Sequence, residues 1–129
     1  TLAQLAAAQE RWSDLPADQR PQVLFVSVDP ERDSPEKTGE YARFFGPDIL
    51  AATAGHAVLE PFARNLGMVY MASALDGGGT PAPGAPYSVD HSSSVAVLDP
   101  DVRLAAVLTA PLDPAIVDAD LRALMDARR

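Results

Sequence analysis

One histidine stands where chemistry could be done. His91 sits near the end of the run Tyr87-Ser88-Val89-Asp90-His91-Ser92, where a Gly/Pro-rich stretch gives way to an apolar segment. Imidazole is the commonest neutral metal ligand, and a neighbouring carboxylate or carbonyl can fix which ring nitrogen carries the proton. Asp90 is such a neighbour. On the residues alone a blander reading competes and is the commoner one: an isolated strand-end histidine held by ordinary hydrogen bonds. His56, the other histidine, reads as a cap or turn residue at a helix entry.

Other chemistries fit less well. Asp90-His91-Ser92 contains the residue types of a hydrolytic relay, but neighbours on an extended segment point to opposite faces and cannot line up as one. No Gly-x-Ser-x-Gly elbow is present. Gly77-Gly78-Gly79-Thr80 lacks the Gly-Lys-Ser/Thr of a phosphate loop. Asp29, Glu31 and Asp33 cluster after a strand-like run, where α/β folds place ligands. The structural reading is better there: Asp33 and Ser34 cap a helix, and Arg32 offsets the charge. A net charge of −8 disfavours a nucleic-acid partner. With no cysteine, the 129 residues hold no disulfide, no thiol nucleophile and no thiolate ligand. No run approaches the roughly 18 apolar residues of a membrane span.

The elements that must position these residues follow from periodicity. Leu2, Leu5, Ala8 and Trp12 share a helical face, and Asp14, Pro16 and Asp18 mark the loop after it. Val23–Val28 is short, apolar and β-branched, which predicts a parallel strand buried on both faces. Ser34 caps a helix begun by Pro35 and closed at Gly46-Pro47. Ile49–Thr53 reads as a short strand. Val58, Leu59, Phe62 and Leu66 form another helical stripe, in which Pro61 is tolerable only within the first turn. Met68–Met71 reads as extended. Ala72–Pro86 reads as a long loop and the least ordered internal segment. Val95–Leu98 and Leu104–Leu108 flank Asp99-Pro100-Asp101 as an antiparallel hairpin. Asp113 and Pro114 open a last helix along Val117, Leu121, Leu124 and Met125, with Arg128 and Arg129 at its negative end.

Two blocks in this order and spacing carry a family resemblance. Asp29-Pro30-Glu31-Arg32-Asp33-Ser34-Pro35 resembles the Asp-Pro-x-Arg-Asp-Thr-Pro block of the Sco/SenC copper chaperones. Tyr87–Ser92 resembles their Tyr-x-Val-Asp-His-Ser block. The Leu98-Asp99-Pro100-Asp101 turn, the Phe44–Gly55 stretch and the opening Thr1–Leu5 also fit, so the likeness spans nearly the whole chain. It implies an α/β, thioredoxin-like three-layer sandwich, with residues 1–129 forming a single domain. It also implies copper held by two cysteine thiolates and one histidine, here His91, with no catalytic residue. Soft thiolates with one imidazole suit copper in either common oxidation state.

The resemblance further implies service to the dinuclear copper site of cytochrome c oxidase, with that oxidase's copper-site subunit and other copper carriers as partners. It implies a periplasmic or extracytoplasmic place with an upstream membrane anchor. Both family cysteines would fall just before Thr1, and the strand ahead of the first helix would be missing, so the domain is expected to be N-terminally truncated. Without that strand Val23–Val28 and Val95–Leu98 would flank an empty central slot. Filling it requires upstream residues, rearrangement or strand exchange with another copy. Two rivals to the chaperone reading are a thiol–disulfide reductase of the same fold and a non-metal interaction module.

Overall fold

Helix starts are set locally. In the computed structural model, which describes Thr1–Arg129, the Ser34 hydroxyl accepts the Lys37 N–H at 3.2 Å and Pro35 takes the first helical position. Asp113 likewise accepts the Ala115 and Ile116 N–H groups at 2.8 and 3.2 Å, ahead of Pro114. Each cap satisfies donors that have no partner within the helix. These are helices α2 (Pro35–Phe45) and α4 (Pro114–Ala127); α1 is Leu2–Arg11 and α3 is His56–Asn65. Two short 3₁₀ turns, Trp12–Asp14 and Ala17–Gln19, follow α1.

The strands pair two by two. β1 (Leu24–Val26) lies parallel to β2 (Leu50–Ala52), with Leu24 opposite Leu50. β3 (Tyr70–Ala74) lies antiparallel to β4 (Tyr87–His91), and β5 (Val95–Leu98) antiparallel to β6 (Leu104–Leu108). The core gathers Leu5 and Ala8 from α1, Trp12 from the 3₁₀ turn after it, Ala42 from α2, and Val117 and Leu121 from α4. Val23 and Ile49 join it from the leads into β1 and β2. Phe25, Ala51, Val95 and Val97 pack against the same cluster, so the β1/β2 and β5/β6 pairs lean on one helical layer. The third pair, β3/β4, touches other helices and strands only sparsely.

Several expectations change. β1 is not buried on both faces: Leu24 is 52% exposed, while Phe25, on the opposite face, packs against the core. Val23–Val28 and Val95–Leu98 do not pair with each other. α3 begins earlier than its apolar stripe suggests. His56 is therefore its first residue rather than a cap, and Pro61 falls in the second turn, where its nitrogen cannot donate to the Ala57 carbonyl. Leu59 and Ala63, four apart on one face, are its buried residues and lie either side of that gap. The expected loop is shorter at its start, because Ala72–Ala74 pair with Tyr87–Val89. Leu75–Pro86 remains irregular, with Gly77, Gly79 and Gly84 at positive φ.

The β5/β6 turn holds one strained residue. Asp99 accepts the Asp101 and Arg103 N–H groups, both at 2.9 Å, and Pro100 fixes the first corner. The chain must then swing left-handed to re-enter β6, and Val102 does so at φ 61. A β-branched residue is poorly suited to that region.

Candidate metal centre

His91 ends β4, exposed to solvent. Its Nδ1 lies 2.9 Å from the Ser92 carbonyl oxygen. A carbonyl oxygen only accepts, so Nδ1 must carry the proton, and in the neutral ring the Nε2 lone pair is left free. That is the protonation state a metal-binding imidazole needs. The carbonyl rather than Asp90 fixes the ring, because Asp90 points to the other face of the hairpin and accepts the Ser73 hydroxyl at 2.5 Å. Ser92 then closes the strand end. Its N–H donates to the Val69 carbonyl at 3.0 Å, and its hydroxyl accepts the Val69 N–H at 3.1 Å. Asp90, His91 and Ser92 thus take separate partners, as expected of neighbours on an extended segment. No group of three or more His, Cys, Asp or Glu side chains lies close enough to hold a metal ion.

Residues directly opposite on an antiparallel pair share a face. Tyr70 faces His91 in register, followed by Ala72 with Val89 and Ala74 with Tyr87. This face borders a cleft of about 480 Å³ roofed by Pro81–Ala85. Across the cleft stands the segment after β1. Its three carboxylates do three different things. Asp33 accepts the Ser27 hydroxyl at 2.5 Å and leaves the helix cap to Ser34 alone. Glu31 accepts from His56 Nε2 at 2.8 Å. Asp29 accepts the Tyr87 hydroxyl at 2.7 Å and pairs with Arg32.

Sequence reasoning singled out His91 and the acidic segment but missed their connection. Arg32 donates through Nη1 to the Tyr87 carbonyl at 2.8 Å, and its guanidinium carbon lies 4.1 Å from the Tyr87 ring centroid. A neutral His56 that donates from Nε2 accepts the Tyr70 hydroxyl at Nδ1, 2.9 Å away, and the two rings stack. Burial pushes the Asp29 carboxyl up, but the Tyr87 hydroxyl and the Arg32 guanidinium outweigh it and hold the group below its usual range. The same Asp29 contact, with burial, raises the Tyr87 phenol. Burial, then the charges of Glu60 and Glu31, raise that of Tyr70. The one readable signal was the presence of both sequence blocks in a single chain, each with a residue that wants a polar partner.

The order of helices and strands, with two of the three strand pairs packed on one helical layer, defines a thioredoxin-like α/β protein. The chain belongs to the SCO1/SenC family, whose model matches residues 1–126. It is similar to the apo Sco1 protein of Thermus thermophilus, at 35% identity and a TM-score of 0.78, over 95% of this chain and 68% of that one. It is similar to yeast Sco1 solved with copper bound, at 25% identity and a TM-score of 0.77, over 97% of this chain and 66% of that one. The mitochondrial SCO2 homologue of Mus musculus is 32% identical over 78% of this chain. The chain spans 36% of that relative's length. No helix is long and apolar enough to cross a membrane.

Proposed function

We propose that residues 1–129 form a single domain that handles copper as cargo, with His91 Nε2 as its imidazole donor. The observation that carries this reading is the Nδ1 contact to the Ser92 carbonyl, which leaves Nε2 unprotonated and facing solvent on a strand end. The copper-bound yeast relative supports the choice of metal. One imidazole alone holds copper weakly; the family resemblance supplies the other two donors as thiolates of a Cys-x-x-x-Cys-Pro segment outside these residues. The cargo's destination is the dinuclear copper site of cytochrome c oxidase, reached through its copper-site subunit and other copper carriers. The setting is periplasmic or otherwise extracytoplasmic, with an upstream membrane anchor. The domain acts as a metallochaperone rather than as an enzyme. Its open β1 and β5 edges also favour a strand-exchanged homo-oligomer.

The test is a Cu(I) titration of the chain with Cys-x-x-x-Cys-Pro joined ahead of Thr1. Tight binding of one copper, weakened at least about tenfold by His91→Ala, is expected when one of three soft-to-borderline donors is lost. Equal affinity in both proteins would overturn the assignment of His91.

A further inference from the structure

The hairpin that carries His91 needs an anchor. A two-stranded hairpin is marginal by itself in water. β3 and β4 join no other strand, touch the rest of the fold sparsely, and are linked by the irregular Leu75–Pro86 segment. Thermal motion of that segment would reach His91 unless something intercepts it.

We infer that the loop Asp29–Asp33 is a two-point anchor that positions His91, with Arg32, Tyr87 and His56 as its positioning residues. The copper role of His91 in this inference rests on the function proposed above. One point grips β4 at its first residue: Asp29 takes the Tyr87 hydroxyl, while Arg32 takes the Tyr87 carbonyl and covers the ring. The other point grips β3: Glu31 holds His56, which holds Tyr70, and Tyr70 lies directly opposite His91. Both grips originate within four consecutive positions of the loop, Asp29–Arg32, with Glu31 and Arg32 pulling on different strands and Asp29 bracing Arg32. Ser27 in turn steadies the loop through Asp33 and through the Asp29 N–H. Tyr87 stands between the irregular segment and His91, so the first grip shields the ligand from motion of the roof. Only a guanidinium can take Asp29, a carbonyl and a ring face together; an ammonium keeps the charge but not the fork.

The test reads the His91 ring without metal, so its failure is separate from failure of the copper reading. Ring-nitrogen NMR at pH about 8, where imidazole is neutral, reports which nitrogen carries the proton. In the unaltered chain His91 should be held as the Nδ1–H form. Tyr87→Phe, Arg32→Lys and His56→Ala should each convert it to an exchanging mixture. Each should also speed hydrogen exchange of the Ser92 amide by about tenfold or more. Asp113→Ala removes a distant helix cap and lowers global stability, and it should leave the His91 tautomer unchanged. An unchanged tautomer in Tyr87→Phe and Arg32→Lys overturns the anchor. A change of the same size in Asp113→Ala overturns it too, because general loosening would then suffice.

Discussion

The Tyr87 hydroxyl donates to Asp29 across 2.7 Å, although the two residues lie 58 positions apart. That bond and the Arg32 pair depress the Asp29 carboxyl below its unfolded value of about 3.9. A group whose pKa is lower in the folded state adds stability above its unfolded pKa and loses it as the pH falls through the folded one. Asp29→Asn should therefore destabilise the chain at neutral pH by about 1–3 kcal/mol. The deficit should shrink toward zero in acid, where both proteins carry a neutral side chain. Denaturant midpoints of the two proteins, measured from neutral pH downward, check this; a deficit of constant size across the range would refute it.

Val102 offers the opposite sign. It is 75% exposed and sits at φ 61, so it gives up little packing for its strained backbone. Val102→Gly should raise stability by about 1 kcal/mol, the usual cost of a left-handed conformation for a residue with a Cβ. Val102→Asn should gain less. Calorimetric melting would show it, and a lower melting temperature for both variants would mean that the valine side chain has a role at the turn.

The open strand edges make a prediction about association. β1 and β5 each present one side without a strand partner, and in-register Leu24 and Leu50 are 52% and 55% exposed. Unpaired edges template pairing with another chain. Sedimentation of the 129-residue chain should show self-association that grows with concentration. A monodisperse monomer with a sharp two-state melt would count against strand exchange.

The absence of cysteine sets two limits together. Disulfide exchange needs a thiolate, so the chain should show no insulin-reducing activity. Copper titrated into it should bind weakly, through His91. Turnover by protein of verified mass would contradict the first expectation. Tight stoichiometric copper binding that survives His91→Ala would contradict the second.

What could be read from sequence was mostly what is decided within a few residues. Ser34-Pro35 and Asp113-Pro114 announce their helices because cap and first turn are neighbours in sequence. β1 was legible as a parallel strand from its apolar, β-branched run, although its pairing with β2 and its exposed face were not. β3 was cut short because Met71-Ala72-Ser73-Ala74 is small and weakly patterned, and its strand character comes from pairing with β4. His91 was singled out by its place between a Gly/Pro-rich stretch and a strand, and then by its sequence block. The Glu31–His56–Tyr70 chain was not, since its members lie 25 and 14 residues apart and no local spacing encodes a contact of that kind. Asp33 was misassigned as a cap for a related reason: its real partner, Ser27, lies back in the approach to the loop.

Trp12 gives the molecule a built-in optical division of labour. It is the only tryptophan, it is 2% exposed, and its indole N–H meets no acceptor. Its emission should be blue-shifted and should follow the packing of α1 against α4. Two of the three tyrosines, Tyr70 and Tyr87, belong instead to the grips on the His91 hairpin. Tryptophan emission excited at the red edge, compared with the tyrosine absorbance difference spectrum, would distinguish a hairpin that has swung free from a core that has melted.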